Sequence, residues 1–197
     1  MRSLFLVAAL LALPSAASTW EIDPAHSVAT FSVRHMMVSN VRGEFGKMSG
    51  GVQQDDKDIT KSSVDVTVDT TTINTREPKR DAHLKSADFF EAEKYPTMTF
   101  KSTRITKVDE SHLKVAGNLT LHGVTKPVVF DAEITPETVA MGTTVRGVAA
   151  TTKLNRKDFG LNWNKTIEAG GVLVGDEVAV NVEFELHKKA ASSAATK

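Results

Sequence analysis

The side chains best equipped for chemistry in this 197-residue chain are its six histidines, since it contains no cysteine. His26, His35 and His83 are the three that a metal could gather. No His-x-x-x-His pair, cysteine ligand or nucleophile elbow accompanies them. Ser27 follows His26 directly, so on a strand the two side chains point to opposite faces. The expectation is a protein with no catalytic residues and no metal site.

Four polar residues suit a different task. His35, Arg42, Arg80 and His83 lie beside the first strands or in a helical insertion. Arginine grips phosphate oxygens in a bidentate fashion, and a helix beginning near Pro78 adds free N–H groups. They are candidate contacts for an anionic head group. The competing reading is structural, because Arg80 stands beside Asp81 and such residues also tie loops to a rim. Met36 and Met37 are flexible enough either to adapt to an incoming ligand or to fill gaps.

The elements that must position these residues are mostly strands. Apolar and polar residues alternate over 29–34, 64–69, 97–101, 112–121, 128–134, 144–154 and 177–187, the mark of half-buried strands. Residues 41–52 form a further extended segment, where Gly43, Gly46, Gly50 and Gly51 predict a bend or bulge. His122-Gly123 predicts a tight connection. One stretch breaks the pattern. Between Thr75 and Phe100, Pro78 suits a first helical turn with Thr75 near its cap, Leu84 and Ala87 share a face, and Phe89-Phe90 follow. This predicts a short, charged helix that caps one end of a β structure.

About eight strands with short connections and no helical crossovers make an antiparallel sheet, closed either as a sandwich or as a barrel. Glycine-rich bends and long strands favour the eight-stranded barrel, so the expected class is all-β. Few aromatics, and small residues at Gly147, Ala149 and Ala150, favour an open lumen over a filled one. Strands of roughly 12 residues tilted by about 40° give a tube about 30 Å long. Phe31, Val33, Phe45, Phe100, Leu119, Phe130, Val180, Val182 and Phe184 are candidates to line it, together with Met36 and Met37 at its mouth. Each could equally be ordinary core.

The ends of the chain carry other signals. Arg2, the apolar run Leu4–Leu13 and the small residues Pro14–Ser18 predict a secretory signal peptide over 1–18, cleaved after Ala17 or Ser18. The barrel domain is expected over 19–189 and a disordered tail over 190–197. With 24 basic and 24 acidic residues and no basic cluster, nucleic acid is not an expected partner. No long apolar run follows the leader, so no stable membrane insertion is expected.

Several blocks extend this reading. Asp23-Pro24-Ala25-His26-Ser27, the run Val33–Gly43, Arg80–Phe90, Tyr95-Pro96-Thr97, Gly117–Pro127 and Arg156–Gly160 follow one another in an order that resembles the YceI-like family across nearly the whole mature chain. The resemblance implies a lipocalin-like barrel, exported to the periplasm, that encloses a polyisoprenoid or similar amphiphilic lipid. It thereby implies sequestration or transport of a polyprenyl phosphate, pyrophosphate or isoprenoid quinone, with no cofactor beyond that lipid. A homodimer is left open. The alternative is an envelope stress-related interaction protein with a filled barrel.

Overall fold

The computed structural model describes residues 17–168 and 170–190. Most of the predicted leader therefore lies outside the described residues, as does most of the predicted tail. In chain order the elements are β1 (Ala17–Ile22), β2 (Val28–His35), β3 (Ser39–Phe45), β4 (Met48–Asp55), β5 (Ser63–Asp69), β6 (Ile73–Asn74), α1 (Pro78–Lys85), β7 (Thr97–Lys107) and β8 (His112–Leu121). They continue with β9 (Val124–Ile134), β10 (Thr138–Ala140), β11 (Thr143–Asn155), β12 (Thr166–Ile167), β13 (Gly171–Val172) and β14 (Val174–Lys188).

Eight of the strands close on themselves in the order β11-β9-β8-β7-β5-β4-β1-β14, every pair antiparallel. The seam is β11 against β14, paired from Val145↔His187 to Asn155↔Glu177. A closed barrel leaves no unpaired edge, which suits a chain so rich in strand. The predicted all-β, eight-stranded antiparallel barrel is the fold.

Its membership differs from the sequence reading in one respect. The ring takes β1, which pairs with β14 only from Ile22↔Leu186 to Trp20↔Lys188. Further along β14 its place is taken by β2, from Val28↔Glu183 to His35↔Val174. β3 and the two-residue β6 then extend the wall on that side. The segment predicted as one strand over 41–52 is two, β3 and β4, broken at Gly46-Lys47. At the same end of the barrel His122 (φ 52°) and Gly123 (φ 73°) make the tight β8–β9 connection.

Where β3 and β6 end, α1 lies across the opening. Pro78 opens the helix, but the cap is Glu77, whose carboxylate accepts from the Lys79 N–H. Thr75, expected near the cap, instead gives its N–H and its hydroxyl to Asp81 Oδ1, at 2.8 and 2.5 Å. The helix stops at Lys85, so Ala87 shares no helical face with Leu84. Leu84 and Phe90 pack beside the buried cluster of Phe45, Met48, Ile73 and Val182. Phe89 joins a second cluster with Leu121, Val128, Phe159 and Leu161. The aromatic pair after the helix therefore spans two parts of the core, which holds the cap in place.

Candidate functional site

Period-two alternation puts one face of every ring strand inside. β14 contributes Val178, Val180, Val182, Phe184 and Leu186, and β8 contributes Leu113, Val115, Leu119 and Leu121. These walls do not fill the interior. An apolar cavity of about 410 Å³ runs between them, where a single water needs only about 10–15 Å³. It falls within the range of small-molecule pockets, about 300–1,000 Å³.

Two glycines on the lumen face help keep the bore open. Gly43 and Gly117 occupy inward positions, between Val41 and Phe45 and between Val115 and Leu119. A Cβ on Gly43 would lie 2.4 Å from the Phe31 ring, and one on Gly117 would lie 2.4 Å from the Phe100 ring. Both rings therefore lie over bare backbone instead of standing across the tube. The small residues of β11 work differently from expectation. Ala150 lines the cavity with Val148 and Arg146, whereas the alternation turns Gly147 and Ala149 outward.

All nine strand residues predicted to line the lumen face this cavity: Phe31, Val33, Phe45, Phe100, Leu119, Phe130, Val180, Val182 and Phe184. Three other candidates do not. Met36 and Met37 form the β2–β3 turn with positive φ (49° and 63°), and the two residues are 43% and 59% exposed. Arg42 points out of the barrel into a shallow surface groove with Ser32 and Glu44. The alternation explains this, because Phe45 points inward and Arg42 lies an odd number of residues before it.

His35, Arg80 and His83 do reach the cavity wall at the α1 end. Arg80 is largely committed, donating from Nε to Thr75 Oγ1 (2.8 Å) and from Nη2 to the Thr75 carbonyl (2.9 Å). It meets Asp81 through Thr75, in place of a direct ion pair. His83 Nε2 lies 2.8 Å from Asp88 Oδ2, and its ring stands edge-on to Phe89 and Trp163, with centroids 5.1 and 4.8 Å away. His83 therefore joins the cap to the loop after β11. His26, in contrast, precedes β2 while His35 ends it, so these two and His83 do not converge.

The residue that sequence reasoning missed is Arg156. It is only 5% exposed and organises the other half of the rim. Its guanidinium donates to the carbonyls of Gly175 (2.8 Å), Trp163 (2.9 Å), Val174 (3.4 Å) and Leu161, and to Asp176 Oδ1 (3.4 Å). Burial lowers its pKa from the ordinary arginine value, and Asp176 opposes that shift. Leu161, Trp163 and Leu173, in the loop it pins, all line the cavity. Nothing local in the sequence marks this role, since its acceptors are carbonyls up to 19 residues away and the carboxylate of Asp176, 20 residues away.

Among the described residues, no helix is long and apolar enough to cross a membrane. Comparison with known proteins agrees with the architecture. A UPF0312 protein of Vibrio cholerae is 42% identical over 160 residues, covering 79% of this chain and 85% of its own. The crystal structure of the Campylobacter jejuni YceI protein superposes with a TM-score of 0.69 at 34% identity, over 80% of this chain and 90% of that one. A polyisoprenoid binding domain from Saccharophagus degradans shares the fold, with a TM-score of 0.66 at 15% identity over 86% of this chain and 98% of its own. The YceI-like domain matches residues 20–186. The chain belongs to the YceI-like family.

Proposed function

We propose that this protein is a non-catalytic carrier that holds one long isoprenoid-type lipid inside the barrel. The observation that carries this reading is the apolar cavity of about 410 Å³ bounded by strands, cap and loop. Burial is worth about 0.8 kcal/mol per methylene-sized group, so a long chain binds without a strong polar anchor. The printed description of the S. degradans neighbour as a polyisoprenoid binding domain supports the ligand class. Export to the periplasm rests on the leader-like residues 1–18 and on the family.

The head group is assigned to the α1 end, where His35 and the remaining N–H groups of Arg80 line the cavity. Arg42 takes no part. The same end exposes Met36, Met37, Val38 and Val172. An exposed apolar rim suits contact with a donor membrane or acceptor during lipid transfer. The alternative interaction protein requires a filled barrel, and the open lumen counts against it.

The test is native mass spectrometry of protein purified from the periplasm of a producing cell, followed by solvent extraction. The expected result is a one-to-one adduct that extracts as an isoprenoid. A bare mass, unchanged after polyprenyl phosphate and quinone are added, overturns the reading. As a site test, Phe184→Asp is expected to abolish the adduct while the barrel's circular dichroism persists.

A further inference from the structure

On the outside of the barrel, four metal-ligating side chains meet where β1 turns into β2 beside the end of β14. Asp23 and His26 come from the turn. Glu185 and His187 are two residues apart on β14, and they share its outer face because Phe184 and Leu186 point inward. His26 Nδ1 lies 2.7 Å from Asp23 Oδ2 and 4.0 Å from Glu185 Oε1. His187 Nε2 lies 2.8 Å from Glu185 Oε1 and 3.7 Å from Asp23 Oδ2. Ligand atoms of Asp23, Glu185 and His187 all fall within 4.8 Å of one another. Ligands about 2.0–2.1 Å from a tetrahedral zinc stand about 3.3 Å apart. The four imidazole–carboxylate separations bracket that value.

The backbone holds these groups in place. The Asp23 N–H donates to the Glu185 carbonyl (2.9 Å), and the Glu185 N–H donates to Ser27 Oγ (3.1 Å). The Ala25 N–H donates to Asp23 Oδ1 (2.9 Å), leaving Oδ2 to face both imidazoles. Such outer-shell bonds orient metal ligands. Two imidazoles with two carboxylates form a mixed nitrogen–oxygen set suited to a borderline transition-metal dication, whose charge the carboxylates balance.

We propose that Asp23, His26, Glu185 and His187 form a binding site for one zinc-class dication. Four protein ligands close the coordination sphere, which makes the site structural. It stands where β14 exchanges β1 for β2, so the ion clamps the branch point of the sheet. The site lies outside the lumen and is independent of the lipid.

The test is titration of the tag-free mature protein with cobalt(II), then zinc(II). One equivalent of cobalt is expected to give the intense visible bands of tetrahedral coordination, which zinc abolishes by displacement. The thermal midpoint should rise with zinc, as binding to the native state requires. His26→Ala and His187→Ala should each weaken binding at least about tenfold. His112→Ala, which removes a surface histidine paired with a single carboxylate, should leave it unchanged. No binding, a pale octahedral spectrum, or an affinity unchanged from the parent's in the His26→Ala and His187→Ala variants overturns the site.

Discussion

At the scale of single residues, the clearest division is between groups that shape the bore and groups that hold its rim. Gly117 belongs to the first. Gly117→Ala must displace both the Phe100 ring and the Lys101 carbonyl, 2.4 and 2.5 Å from the new Cβ. Overpacking of this kind costs about 1–3 kcal/mol. We expect a lower urea midpoint and a lower lipid occupancy, measured by denaturation and native mass spectrometry. Arg156 belongs to the second. Arg156→Ala strands several buried carbonyls and should cost about 3–5 kcal/mol, with faster hydrogen exchange across 161–175 as the local signature. Asp109 and His112 give a pH test in the β7–β8 turn. Backbone N–H donors of Ser111 and His112, with the His112 side chain, lower the Asp109 pKa to about 2, while Asp109 raises that of His112. The Asp109 contribution is therefore present above about pH 3.8 and lost as pH falls toward 2, and the His112 contribution is fully present below about pH 6.5 and lost as pH rises through its raised folded value. An NMR titration should show Asp109→Asn lowering the His112 pKa.

At the scale of elements, the cap helix itself contributes little to the core and is held mainly by the aromatic pair that follows it. α1 has no buried residue, and Leu84 is its one apolar side chain packed beside the core clusters. Few buried apolar contacts mark a segment of low local stability. Its link to the opposite rim is the edge-on contact of His83 with Trp163. Lipid entry is expected to change Trp163 fluorescence, and His83→Ala should speed exchange of bound lipid in a transfer assay more than it weakens affinity. Its companion is the exposed β2–β3 turn, where Val38→Asp should slow uptake from vesicles while leaving the equilibrium occupancy near that of the parent. The insertion, its terminating proline and its two aromatics were legible in the sequence, because helix-breaking and turn chemistry are local. That Thr75 braces Arg80 and Asp81 was not, because a cap and a cross-loop brace use the same residue types.

At the scale of the whole molecule, a closed ring that its own side chains do not fill is the property that supports a carrier. Filling it should reduce binding more than folding. Ala150→Phe adds bulk to a buried inward position of β11 beside Phe100, Val115 and Ala132, so it is expected to exclude lipid while costing the lipid-free protein about 1–3 kcal/mol of stability. A variant that still takes up a full equivalent of lipid would place the ligand elsewhere.

The sequence by itself determined the strand-rich class, the inward face of each strand and the helical interruption. These follow from a two-residue period and from proline and glycine, which act within a few neighbours. Even Arg42 was readable in this way, since its parity with Phe45 sets it outside. The tertiary structure alone decided the rest. It decided which strand closes the ring, because β1 and β2 both alternate and occupy successive stretches of one edge of β14. It brought Arg156 to the carbonyls of a distant loop, and it brought Asp23 and His26 to Glu185 and His187. Alternation states which way a side chain points, whereas strand order and register fix what it meets.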